Sequence, residues 1–201
     1  MDKPADAQFP IHELLRARWS PRAFSDRPVA PSLLRSLWEA ARWAPSCFNE
    51  QPWAFLVATK DQPEEFAKLL SCLVDANIVW AGQAPVLMIS LAKMRFDESH
   101  KPNPHAWHDV GLASENLVIQ AMTLGLMTHL MAGFSPEKVR TLYAVPEGYE
   151  PVAAMALGYP GSADGLPERL RERELAPRTR HPIASFVYGS QWGAPSPLTA
   201  E

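Results

Sequence analysis

Three observations predict a single α+β domain. Helical and strand-like hydrophobic patterns are interspersed without the regular alternation of a doubly wound sheet. The chain, 201 residues long, suits one sizeable domain and can bury a core without a disulfide or structural metal. Its 20 prolines are scattered as punctuation between short elements rather than gathered in a tract. One domain over residues 1–201 is expected, with flexible ends at about 1–8 and 194–201.

Taken in order, Ile11 to Ala17 reads as a short helix running into the arginine-rich turn Arg18-Trp19-Ser20-Pro21-Arg22. Proline disfavours helical geometry at the residue before it, so the helix stops ahead of Ser20. Pro31-Ser32 opens an amphipathic helix in which Leu33, Leu37 and Ala41 recur at spacing four, ending at Ala44-Pro45. Trp53 to Thr59 and Pro85 to Ala92 read as buried strands, with a helical period between them over Pro63 to Leu73. Arg95 to Trp107 is a polar, proline-containing loop. Asp109 to Leu124 is a long, largely buried helix ended by Gly125. Ser135-Pro136-Glu137 starts another helix, with a capping hydroxyl, a first-turn proline and an acid. Pro151 to Leu157 is a third strand. From Gly161 to Arg180 the chain is polar and arginine-rich, and it closes on an aromatic tail containing Phe186, Tyr188 and Trp192.

The charge balance, 19 basic against 22 acidic residues, argues against a nucleic-acid binder. No stretch is long and apolar enough to span a bilayer, and the N-terminus lacks a signal-peptide pattern. Two cysteines, Cys47 and Cys72, without motif spacing fit a reducing compartment, so a cytoplasmic location is expected. His100, His105, His108 and Asp109 match no metal-site spacing. No glycine-rich dinucleotide fingerprint, phosphate-binding P-loop or nucleophile elbow is present.

Three segments carry candidate chemistry. Arg16, Arg18, Ser20, Arg22 and Arg27, with the distant Arg178 and Arg180, form either a solvated face or a site for one small anion, since guanidinium groups take phosphate oxygens in pairs. Ala44-Pro45-Ser46-Cys47-Phe48-Asn49-Glu50-Gln51-Pro52-Trp53, between helix and strand, is either a turn held by its Ser and Asn or a donor set for a heterocycle or polyol. Within it, Cys47 reads as a small packing residue. Gly125 to Phe134, with its Ala132-Gly133 pair, is either a buried strand ending in a turn or a place where backbone N–H groups approach a ligand.

In their order and spacing these segments resemble the nitroreductase family of FMN enzymes. The similarity runs from about Ile11 to Trp192. It is carried by Arg18-Trp19-Ser20-Pro21-Arg22-Ala23-Phe24, Ala44-Pro45-Ser46 through Gln51-Pro52-Trp53, Asp109-Val110-Gly111, Ala132-Gly133-Phe134, Val145-Pro146-Glu147-Gly148-Tyr149 and Ala156-Leu157-Gly158-Tyr159-Pro160. The resemblance implies a mixed, mostly antiparallel sheet flanked by helices, in an intertwined homodimer with C-terminal arm exchange and FMN between the subunits. It implies that Arg18, Trp19, Ser20 and Arg180 surround the phosphate, with Arg178 nearby, and that Arg22 lies toward flavin N1 and O2. Pro45, Ser46, Cys47 and Asn49 would reach the partner's flavin, with Gln51 supporting their loop. Met131, Ala132 and Gly133 would face N5 and O4, and Asn77 the pyrimidine edge. Phe48 and His129 fall in the substrate pocket, and Arg95 to Trp107 forms a specificity lid.

Trp19 stands where the family often has arginine or histidine, and Cys47-Phe48 replaces small hydroxyl residues. The implied activity is ping-pong hydride transfer from NAD(P)H to an electron-poor acceptor such as a nitroaromatic or quinone. No side chain is needed as a catalytic acid or base. The alternatives are a specialised flavin enzyme acting on one metabolite and a non-catalytic FMN-binding protein.

Overall fold

The computed structural model describes residues 2–199. Its centre is a four-stranded sheet of β1 (Trp53–Thr59), β2 (Val86–Lys93), β3 (Met127–Met131) and β4 (Tyr149–Gly158), in the order β1-β2-β4-β3. All three pairings are antiparallel, so among the described residues the sheet has no parallel member. The two central strands, β2 and β4, are the ones with long unbroken burial, which their continuous apolar runs require.

Alternation along these strands divides the core into two layers. Leu87, Ile89, Ala154 and Ala156 face one side, packed with Phe66 and Leu69 of α3 (Pro63–Leu70), Trp80 and Ala81 of α4 (Asp75–Ala81), and Val139 of α6 (Pro136–Tyr143). Val86, Met88, Met155 and Leu157 face the other, against Leu34, Leu37 and Ala41 of α2 (Pro31–Arg42) and Ala113, Leu117 and Ala121 of α5 (Ala106–Thr123). The expected α+β sandwich of helices on both faces is therefore present.

The boundaries moved modestly. The first helix, α1, is shortened to Glu13–Ala17, while β4 extends two residues earlier than its apolar run. The helix over Pro63 stops at Leu70, because Cys72 and Val74 turn to meet Ser135 and Gly133. Two helices were not expected. α4 is only seven residues and owes its position to Val74 N–H and Asn77 Nδ2, both donating to the Gly133 carbonyl at 3.1 and 3.0 Å. α7 (Glu168–Leu175) lies in the arginine-rich stretch and buries one residue, Glu174. The Ser135 cap behaves as its sequence predicts, its hydroxyl accepting the Lys138 N–H at 3.2 Å.

Residues near the N-terminus are tied to the body. Arg178 Nη1 donates to the Lys3 carbonyl at 2.6 Å, and Ala5 N–H donates to the Arg16 carbonyl at 2.8 Å. At the other end, Tyr188 and Pro195 form an isolated bridge while Phe186 and Trp192 stay exposed.

The segment after α1 is laid antiparallel beside the exit of β4, with Ser25 N–H on the Tyr159 carbonyl and Gly161 N–H on that of Ala23, both 2.9 Å. A Cβ on Gly161 would stand 2.6 Å from the carbonyl carbon and oxygen of Phe24, so this contact demands glycine. Gly161→Ala is expected to cost about 1–3 kcal/mol, as overpacking against rigid backbone does, read as a lowered midpoint in urea unfolding.

Candidate functional site

Glu174 organises the first constellation. Its carboxylate is 1% exposed and accepts the backbone N–H of Arg22 (2.8 and 3.0 Å) and of Ala23 (3.0 Å), 152 and 151 positions away in sequence. Arg22 Nη1 adds an ion pair at 3.9 Å. A buried carboxylate is tolerable only when paired and hydrogen-bonded, and here backbone donors and a guanidinium do both. The result is to clamp the Arg18–Arg22 segment onto the C-terminal helix.

Between them opens a cleft of about 230 Å³ lined by Lys3, Arg18, Trp19, Ser20, Arg22, Arg173, Glu174, Arg178 and Arg180. Six cationic side chains thus meet one carboxylate, already committed. Burial holds Lys3, Arg22 and Arg178 below their ordinary pKa ranges, and neighbouring cations add to the effect on each. Mutual repulsion of that kind is relieved by an anion, so the residues present suit a phosphate group. Arg16 and Arg27 are not in the cleft: Arg16 contributes its carbonyl to Arg178 Nη1 at 3.1 Å, and Arg27 stacks on Tyr159 at 3.9 Å.

His129 on β3 pins this segment to the sheet. Its Nδ1 lies 2.9 Å from the Pro21 carbonyl, and its ring centroid is 4.5 Å from that of Trp80. As an N–H donor to that carbonyl, the ring supports the turn from beneath. Burial pulls its pKa down to about 4, outweighing the hydrogen bond, with Arg22 nearby also disfavouring a charge.

Beside it, the Ala132-Gly133 turn follows β3. The missing side chain of Gly133 makes room for α4, since a Cβ there would lie 2.5 Å from Asn77 Nδ2 and 2.9 Å from Val74 Cγ2. Asn77 is occupied on both sides, donating to Gly133 and accepting from Trp80 Nε1 at 3.3 Å. Its side chain holds the turn after β3 against α4. Met131 is buried and Ala132 exposed.

The second constellation, Pro45 to Gln51, contains three left-handed residues that are not glycine: Phe48 (φ 54°), Asn49 (φ 58°) and Gln51 (φ 50°). Such backbone costs on the order of 1–2 kcal/mol per residue and persists only where surrounding contacts enforce it. The enforcing contacts are identifiable. Gln51 N–H donates to Ser46 Oγ at 3.0 Å, and Gln51 Nε2 donates to the Asn49 carbonyl at 3.1 Å. Cys47 N–H donates at 3.0 Å to Asp109 Oδ2, a carboxylate 3% exposed in the first turn of α5.

These contacts leave Phe48 90% exposed, edge-on to Phe96 at 6.0 Å. Phe96 belongs to the loop before α5, closed by an Arg95–Pro102 bridge and tied to this one by Glu50, which accepts the Asp97 N–H. His108 Nδ1 stands 3.2 Å from Asp109, and among the described residues no group of three or more His, Cys, Asp or Glu side chains could hold a metal ion.

The two constellations do not meet within one chain. The cleft segment rests on β3 through His129, whereas the Pro45–Gln51 loop leads into β1, and these strands are opposite edges of the sheet. Three strand spacings, on the order of 14 Å, separate them. Sequence reasoning missed Lys3, Arg173 and Glu174 altogether. Local pattern carries no signal for Glu174, one glutamate among many in a charged helix.

Comparison with known proteins gives a consistent result. The family model described as "Nitroreductase family" matches residues 15–159. A protein of Mycolicibacterium smegmatis, named only as an uncharacterized 15.4 kDa protein in the ask 5′ region, is 32% identical over 67% of this chain and 90% of its own length. A Methanothermobacter thermautotrophicus protein bearing the name "Putative NADH dehydrogenase/NAD(P)H nitroreductase" is 29% identical over 79% of this chain and 82% of its own. Among solved structures, one described as an oxidoreductase containing FMN superposes with a TM-score of 0.89 at 32% identity, covering 94% of this chain and 96% of that one. A nitroreductase family protein from Clostridium difficile 630 shares the fold at a TM-score of 0.70 and 24% identity, over 91% of this chain and 99% of that one. Among the described residues no helix is long and apolar enough to cross a membrane.

A pH prediction follows from His129. Its folded pKa, about 4, lies below the ordinary 6.5, so the folded state disfavours the proton. Stability should be highest above pH 6.5 and decline as pH falls toward 4, by up to about 3 kcal/mol from this one group. Urea unfolding across that range should show the decline, and His129→Phe should flatten it.

Proposed function

Because the chain belongs to the nitroreductase family, we propose that it is an FMN-dependent oxidoreductase that passes a hydride equivalent from NAD(P)H to an electron-poor acceptor such as a nitroaromatic or quinone. The observation that carries this reading is the cationic cleft, where residues from both ends of the chain converge on a volume suited to phosphate. When bound, the flavin would supply the hydride-transfer chemistry.

The chain's own residues do the rest. Arg18, Ser20 and Arg180 present donors for the phosphate, and Arg22, fixed by Glu174, places a guanidinium where negative charge on the reduced isoalloxazine needs support. The turn of Met131, Ala132 and Gly133 would contribute backbone groups to hold the flavin ring. The Pro45–Gln51 loop, too distant to serve its own chain's cleft, serves that of a second copy, with Ser46, Cys47 and Asn49 on the flavin and Phe48 walling the acceptor pocket. A homodimer explains why Trp43, Phe48, Phe186 and Trp192 lie exposed in the single chain, and the aromatic tail is the segment placed to embrace the partner. No side chain is assigned as a catalytic acid or base; solvent delivers protons.

Steady-state kinetics test the double displacement. Varying NADH or NADPH at several fixed quinone concentrations should give parallel double-reciprocal lines, and intersecting lines would refute it. The phosphate assignment is tested separately. Arg18→Ala combined with Arg180→Ala should weaken FMN binding at least about a hundredfold, two charge-assisted contacts being lost. Near-normal affinity by flavin fluorescence titration would defeat it.

A further inference from the structure

The cleft has a cation that neither the arginine turn nor the C-terminal pair provides. Lys3 Nζ lies 4.9 Å from the centroid of the Trp19 ring and donates one hydrogen bond, 2.6 Å, to the backbone carbonyl of Glu174. An ammonium carries three donors, so two remain for the cleft it lines with Arg18, Ser20 and Arg180. Burial lowers its pKa; the Glu174 carboxylate opposes this, and Arg178 and Arg22 add repulsion. The short segment that brings it there is fastened. Arg178 Nη1 holds the Lys3 carbonyl at 2.6 Å and the Arg16 carbonyl at 3.1 Å, and Ala5 N–H bonds to Arg16 at 2.8 Å. Gln8 Oε1 accepts the Ile183 N–H at 3.4 Å.

Arg178 thus spends one nitrogen on two backbone carbonyls, which makes it a rivet between the N-terminal segment and the end of α1. Lys3 sits where that rivet delivers it, on an aromatic face that cannot itself contact phosphate oxygens as a cation. We propose that Lys3 is a phosphate-binding residue of this site, carried by an N-terminal strap that Arg178 and Arg16 fasten across the cleft. The inference rests on the FMN reading given above. Phosphate is held from three parts of the chain at once: the strap, the Arg18–Arg22 turn and the segment after α7.

The test compares two ligands differing only in the phosphate. Flavin-free protein is titrated with FMN and with riboflavin, following flavin fluorescence, for the wild type, Lys3→Met and Lys3→Arg. Methionine keeps an unbranched side chain of similar length that can still pack on Trp19, while removing the charge. Lys3→Met should weaken FMN binding about five- to tenfold and leave riboflavin unchanged, with Lys3→Arg within about twofold of the wild type. Unchanged FMN affinity in Lys3→Met overturns the proposal. So does a parallel loss for both flavins, which would mean that Lys3 only supports the fold. Should the wild type bind neither flavin, the FMN reading itself fails. The Lys3 assignment then stands or falls on whether inorganic phosphate raises the melting temperature of the wild type more than that of Lys3→Met.

Discussion

Glu174 joins the two ends of this chain, and the candidate site exists because of that join. A carboxylate 1% exposed in α7 takes the N–H groups of Arg22 and Ala23 and pairs with the Arg22 guanidinium. Removing one partner of a buried pair costs about 3–5 kcal/mol, because the other is left uncompensated. Here the loss would also free the arginine turn from the C-terminal helix. What Glu174 does not do is neutralise the cleft. Its oxygens are consumed by backbone donors and a single guanidinium, so most of the positive charge around it stays available. One residue both assembles a cationic site and leaves it cationic.

The second constraint is the strand order. With β1 and β3 at opposite edges, the cleft on β3 and the Pro45–Gln51 loop before β1 cannot converge in one chain. The loop nonetheless carries the marks of a tuned position. Three left-handed non-glycine residues are held by a buried aspartate on α5 and by Ser46, and the outcome is an exposed phenylalanine. Strain of this kind is found where a defined geometry is needed by something else. In the homodimer proposed above, a second copy of the chain would make use of both halves.

Much of the fold was legible because burial imposed patterns on sequence. β1 and β2 were plain as apolar runs, α2 as a stripe at spacing four, and α6 by its Ser135 cap. α4 and α7 were not legible for a shared reason. α4 is too short to show a period and is held by Gly133 and Asn77, contacts remote in sequence. α7 is charged nearly all round, and its one buried position is polar.

The arginines of the cleft were legible as chemistry, but their grouping with Lys3 and Glu174 was not, since a salt bridge across 152 positions leaves no local trace. At Gly133 the space a side chain would fill belongs to Asn77 and Val74, a packing demand that the local sequence does not show. Asn77, for its part, is engaged in holding the turn.

The most direct measurement is an absorption spectrum of the purified protein, recorded anaerobically before and after addition of NADH or NADPH. The account predicts a flavin band, present as purified or acquired on incubation with FMN, that bleaches on addition of one of the two reductants. A protein that acquires no flavin band after incubation with FMN, or whose bound flavin stays oxidised with both reductants, would contradict it.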